Sequence, residues 1–358
     1  MKTRLFFAVL AIGTLSVQGK GVAQDFPFQV FERYLEPLAQ QIGMPGLSAV
    51  IVQNNSIAWS RGYGFADVES RIPATENTPY VVGGVTQALT GVLIGVCVDR
   101  HTLGVDDGIR QIVPNFPTDV TIRHVLAHAS EGRFRYDPAP FAALTAVVEK
   151  CSDRPFRVAA ADELLTRLNM TRSVPGMDLQ EPGNPARALF EDFRLQRYLG
   201  VLREVAVPYR IDRRGRHTRS EYPSYGFDAA GGLIATAIDL AEFERQLDDQ
   251  VNGDNIPIGF STLDKMWTQT ILSHPDGSIS EVTPTGQGWF VQNAAGVRLV
   301  WTFGHIPNAS SALIVKMPHK RLTLIMLSNS DGLAATFNFE QGDVTTSPFV
   351  RVFLRLFV

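Results

Sequence analysis

The placement of short β-type runs at both ends of the chain, with long apolar helical stretches between them, most limits what this sequence can fold into. Residues 47–60 read as a hairpin: Leu47 to Val52, a turn at Gln53-Asn54-Asn55, then Ser56 to Ser60. Four further β-type runs come late, at Trp289-Phe290-Val291, Leu299-Val300-Trp301, Ala312 to Lys316 and Leu322 to Leu327. Between them, residues 84–98 are apolar all round and long enough for a buried helix. Thr121 reads as an N-cap leading into Ile122, Val125 and Leu126 at helical spacing. Helical patterns also cover residues 141–150 and 158–168, a stretch from Thr236 and Asp239 to Leu247, and the C-terminal Val350 to Val358. Residues 176–225, rich in Pro, Gly and Arg, fit no pattern. Strands at both ends with helices between predict an α/β fold, with a mixed, mainly antiparallel sheet flanked by helices and an inserted helical subdomain. The expected organisation is one unit over residues 24–358. Its α/β part lies at about 24–80 and 225–358, and its helical part at about 81–224.

Residues 1–23 read as a secretory signal. Lys2 and Arg4 precede an apolar run from Leu5 to Leu15, and Gly21-Val22-Ala23 supplies small residues for cleavage before Gln24. The run is shorter than the ~20 residues a membrane span needs, so no stable span is expected after cleavage. The expected location is secreted or periplasmic. Removing Lys2, Arg4 and Lys20 with the signal takes the formal charge from −3 to −6, which argues against nucleic acid as a partner. With 45% hydrophobic and 19% charged residues, the chain is not a disordered one. Its two cysteines, Cys97 and Cys151, both follow apolar runs and read as free buried thiols, with a bridge as the alternative. Arg210, Arg213, Arg214, Arg216, His217 and Arg219 form a basic cluster. It reads as a solvated loop, or else as a mouth for anionic ligands.

Several blocks, in order, carry a family signature. Arg61-Gly62-Tyr63-Gly64-Phe65-Ala66-Asp67 follows the hairpin. Thr121-Ile122-Arg123-His124-Val125-Leu126-Ala127-His128-Ala129-Ser130 comes next, then Ala230-Gly231-Gly232-Leu233-Ile234-Ala235-Thr236 with Asp239-Leu240. Gly288-Trp289, Phe303-Gly304-His305 and Leu327-Ser328-Asn329-Ser330-Asp331-Gly332 close the series. Together they resemble the serine β-lactamase and penicillin-binding-protein family, in its class C and esterase-like branch. The resemblance implies a sheet flanked by helices, with the pocket between sheet and helical subdomain.

It also implies three catalytic motifs, and each is altered. The family's Ser-x-x-Lys, whose i and i+3 side chains meet on one helix face, maps to Gly84 and Gln87. Gly84 offers no nucleophile, and the amide of Gln87 is no base. The Tyr-x-Asn motif maps to Tyr136 and Pro138, keeping the phenol and losing the amide. The Lys- or His-x-Gly motif maps to His305 and Pro307, where proline lacks the N–H and adds bulk. Pro138 and Pro307 are therefore expected to close part of the pocket. No other Ser-x-x-Lys and no Gly-x-Ser-x-Gly occurs. His124 and His128 are four apart, but the zinc-protease pattern needs Glu where Val125 stands, so both read as structural, as does Ser130. No metal or cofactor is expected. The reading is an exported pseudoenzyme that binds a small-molecule, peptide or cell-wall ligand through Thr86, Tyr136 and His305. The alternative is a hydrolase with rerouted chemistry from those same three residues.

Overall fold

A computed structural model describes residues 22–224, 226–248, 258–273 and 279–358. Residues 1–21 of the expected signal lie outside the described residues. The chain enters through helix α1 (Val22–Ile42) and then forms strands β1 (Gly46–Gln53), β2 (Ser56–Asp67) and the short β3 (Ile72–Pro73). Helices α2 (Val85–Asp99), α3 (Ile122–Leu126), α4 (Leu144–Ser152), α5 (Asp192–Leu202) and α6 (Ala237–Asp248) follow. The chain closes with β4 (Phe290–Ala294), β5 (Val297–Ile306), β6 (Ser310–Met317), β7 (Leu322–Ser328) and helix α7 (Pro348–Phe357).

The seven strands form one sheet in the order β4-β5-β6-β7-β1-β2-β3. Every pairing in it is antiparallel, so this sheet carries no parallel component. The two chain ends meet at its centre, where Leu47 opposes Ser328 and Gln53 opposes Leu322. β1, β6 and β7 are buried almost throughout because both faces of the sheet are covered, which is why they read as continuous apolar runs. Side-chain alternation sorts them. Val50, Val52, Ile314, Ile325 and Leu327 face a core with α2, α4 and α6, while Ala49, Ile51, Leu313, Leu324 and Met326 face one with α1 and α7.

Helix α2 is buried along its whole length from Val85 to Cys97, as an all-apolar helix must be. A Cβ on Gly91 would lie 2.6 Å from the Gln287 carbonyl oxygen, so the neighbouring backbone requires glycine there. Cys97 near the end of α2 is bridged to Cys151 near the end of α4, with Cα atoms 6.0 Å apart. This corrects the free-thiol reading: tertiary packing brings together two helix ends that are 54 residues apart in the chain. The unpatterned stretch 176–225 contains α5 and a hairpin of Tyr209–Ile211 and His217–Arg219, whose second strand is exposed while Tyr209 is buried. Where a regular helix was expected over 158–168, a short α-helix (Phe156–Ala160) passes into a π-helical turn (Ala161–Thr166).

One buried cluster was invisible in the sequence. Lys316 on β6 is fully buried on the α6 side, with Nζ 2.8 Å from both Glu244 and Asp248 of α6 and 4.4 Å from the centre of the Trp267 ring. Opposite charges four residues apart on one helix face clamp the ammonium from both sides, which holds it charged.

Candidate functional site

The start of α2 is fixed by a small three-stranded sheet in which Leu233–Ala235 pairs with Tyr80–Val81 on one side and Val174–Pro175 on the other. Val82 then donates to the Leu233 carbonyl at 3.0 Å. The chain turns through Gly83, at φ +53°, and lies directly on β5: a Cβ on Gly304 would fall 1.9 Å from the Val82 carbonyl oxygen. Two glycines meeting backbone to backbone thus seat the helix start against the strand.

Gly84 is the N-cap residue of α2. A Cβ built on it would lie 2.6 Å from the Phe303 carbonyl oxygen and 2.8 Å from the Tyr136 hydroxyl, with the Gln87 amide carbon at 3.8 Å. Gly84, Gln87 and Tyr136 therefore come together, and the space a side chain at 84 would need is already filled. Gln87 is buried, with Oε1 3.1 Å from His128 Nε2 and Nε2 3.5 Å from the Ala230 carbonyl. The other ring nitrogen of His128 lies 3.1 Å from the Asp137 carbonyl. Burial lowers the imidazole to about 4. A neutral ring can donate to only one of these partners. The Gln87 amide, which can turn its NH2 to the ring, is the one able to receive a lone pair.

Tyr136 packs its ring on His128 (4.6 Å between centres), Phe303 (5.0 Å) and Phe290 (5.8 Å). Burial raises its phenol well above the ordinary range, with a smaller contribution from the Glu340 carboxylate. A phenol serving as a base needs the opposite shift. Thr86 is buried and committed to the backbone: its hydroxyl donates to the Gly83 carbonyl (2.8 Å) and accepts from Leu233 N–H (3.3 Å).

The remaining motif positions lie apart from this cluster. Pro138 is exposed at the first position of a short helix (Pro138–Phe141) capped by Asp137. Pro307 is exposed in the turn between β5 and β6. The filling at Gly84 thus comes from the Phe303 backbone and the Tyr136 hydroxyl, not from either proline. The backbone of His305 abuts Gly83, whose built Cβ would lie 3.2 Å from the His305 nitrogen. Its side chain lines a separate pocket of about 260 Å³ with Phe303 and residues 334–341, and its Nε2 is buried without a hydrogen-bond partner. His124 caps α3, its Nδ1 lying 2.7 Å from the Thr121 hydroxyl. Sequence reasoning named His128 as structural without foreseeing its place beside Gln87 and Tyr136, which is set by tertiary contact. Among the described residues no group of metal-ligating side chains is assembled.

The Beta-lactamase family profile matches residues 31–341. The chain belongs to the beta-lactamase family. Among relatives of this beta-lactamase-family chain, Protein flp of Staphylococcus aureus (strain MW2) is 23% identical over 84% of this chain and 63% of its own. The Teichoic acid D-alanine hydrolase of S. aureus (strain MRSA252) is 26% identical over 32% of this chain and 28% of its own. The chain spans less than two thirds of the length of these relatives. The octameric penicillin-binding protein homologue from Pyrococcus abyssi superposes with a TM-score of 0.69 at 22% identity, covering 85% of this chain and 74% of that one. A structure titled SurE gives 0.65 at 19% identity, over 87% and 72%. These likenesses show the fold. Within it, Gly84 stands at the start of α2, and Gln87, one turn on, is bonded to His128.

Proposed function

We propose that this beta-lactamase-family protein has given up serine-nucleophile chemistry and acts by binding, as an exported pseudoenzyme. The observation that supports this reading is the packing at Gly84, the residue the resemblance sets at the nucleophile position: the space a side chain there would need is taken by the Phe303 carbonyl and the Tyr136 hydroxyl. Losing the serine of a serine protease costs about 10⁶-fold in kcat. The residual acceleration from binding and an oxyanion hole is about 10³–10⁴-fold over water. That remainder is too small for an enzyme whose work is turnover. The Cys97–Cys151 bridge supports export, since disulfides persist in oxidising compartments, and so does the basic-then-apolar composition of residues 1–23. The ligand classes that fit are a small molecule, a peptide or a cell-wall component. The relative named as a teichoic acid D-alanine hydrolase adds weight to the last.

The test is covalent labelling. Purified protein treated with a fluorophosphonate or a penicillin probe is expected to carry no adduct by mass spectrometry. A single labelled residue would overturn the proposal in favour of a rerouted hydrolase. The double variant Gly84→Ser, Gln87→Lys is expected to remain unlabelled too, because the serine Cβ collides with backbone at 303.

A further inference from the structure

The buried cluster between β6 and α6 holds more acid than one lysine can neutralise. Lys316, Glu244 and Trp267 are buried, and the Asp248 side chain is nearly so. One ammonium faces two carboxylates, so an excess negative charge sits in the core unless a proton joins it. Asp248 Oδ2 and Glu244 Oε1 are buried with no hydrogen-bond partner among the described residues. The same holds for the hydroxyl of Thr323, which opposes Lys316 from β7. A buried ion pair offsets its desolvation only when its remaining polar atoms are also bonded. Here they are not, so these groups are costly to hold as ions.

The same three side chains supply the parts of a condensation. Lys316 Nζ is 2.8 Å from Asp248 Oδ1, so the Asp248 carboxyl carbon is no more than one carbon–oxygen bond length further away. An ammonium attacks nothing until it loses a proton. Glu244 Oε2, also 2.8 Å from Nζ, is placed to accept it, and burial raises this carboxyl so that it can hold the proton. Once protonated, Glu244 is an acid beside the Asp248 oxygens. Groups held this close react as if at effective concentrations of about 10⁵–10⁸ M. Dry surroundings also favour a neutral product over buried charges. We propose that Lys316 and Asp248 join in an isopeptide bond that the protein forms by itself, with Glu244 as the proton carrier. The Nζ–Cγ bond forms and one Cγ–O bond of Asp248 breaks. Of the three ammonium hydrogens, two leave with that oxygen as water and one stays on the amide nitrogen, and Glu244 ends as it began. The bond ties the last residue of α6 to β6, a second cross-link that, unlike the disulfide, no reductant cuts. It does not depend on whether the protein is a binder or a hydrolase.

Mass spectrometry of the purified, reduced protein tests it. The intact mass is expected to fall one water below the mass calculated from the sequence. Trypsin does not cut after an acylated lysine, so peptides 246–265 and 299–320 are expected as one linked pair, with fragment ions placing the bond on Asp248 and Lys316. Glu244→Gln and Asp248→Ala, each checked for folding by circular dichroism, are expected to keep the full mass and to show no linked pair. Folded wild-type protein at full mass, with the two regions recovered as separate peptides, would overturn the proposal whether or not either variant folds. So would a missing water that maps to any other residue. A linked pair in folded Glu244→Gln protein would overturn the role given to Glu244.

Discussion

At the residue scale, the site is decided by what replaces each expected side chain. Gly84 and Gln87 were singled out by the resemblance to the family's Ser-x-x-Lys, and the structure brings the two together at the start of α2. The sides on which Pro138 and Pro307 lie were not legible, since spacing gives identity at a position and not its direction. Pro138 is exposed at the start of a short helix, and Pro307 is exposed in a turn. His128 was read as part of a packing block, and its contacts with Gln87 and Tyr136 depend on chain segments far apart in sequence. It also supplies a pH test. Its folded value of about 4 lies below the ordinary value near 6.5, so the unfolded chain takes up the proton first as pH falls. The His128 contribution to stability is therefore complete above about pH 6.5 and is lost as pH drops toward 4, by at most about 3 kcal/mol. Asp239, raised by burial to about 6, works in the opposite direction over much of the same window. The His128 part is read from the difference between wild type and His128→Gln in denaturant titrations across that range. A difference independent of pH would contradict it.

At the element scale, the strands were the most legible feature. Each late apolar run falls on a strand of the central sheet, with Trp289 lying just before β4. The N-cap at Thr121 was legible too, because a cap is local chemistry. Helix α5 was not, since its pattern sits among arginines, prolines and glycines. The bridge between α2 and α4 is expected to matter for stability. Cys97→Ala with Cys151→Ala should cost about 2–5 kcal/mol and lower the thermal midpoint, as measured by calorimetry; an unchanged midpoint would contradict this. The basic cluster of the sequence lies on the hairpin of Tyr209–Ile211 and His217–Arg219 and the turn between its strands. Arg216 pairs with Asp212, and Arg219 approaches Glu69 at 3.9 Å. Arg210, Arg213 and Arg214 form no ion pair among the described residues. Retention on immobilised polyphosphate should fall steeply with salt and be lost in the triple serine variant of those arginines. Retention that ignores salt would return the hairpin to a plain solvated loop.

At the scale of the whole molecule, the proposal separates the beta-lactamase-family scaffold from the family's chemistry. A seven-stranded antiparallel sheet is covered on one face by α1 and α7, and on the other by α2, α4 and α6. The proposal places Gly84, Gln87 and a phenol raised by burial at the positions that would carry acyl transfer on this arrangement. Composition spoke only to the scaffold; the reading of the site rests on the motif resemblance. The central claim is catalytic silence, and its most direct measurement is turnover. Purified protein incubated with nitrocefin and with a p-nitrophenyl ester is predicted to match a heat-inactivated control for both substrates. Sustained hydrolysis of either, above that control and proportional to protein concentration, would contradict the account.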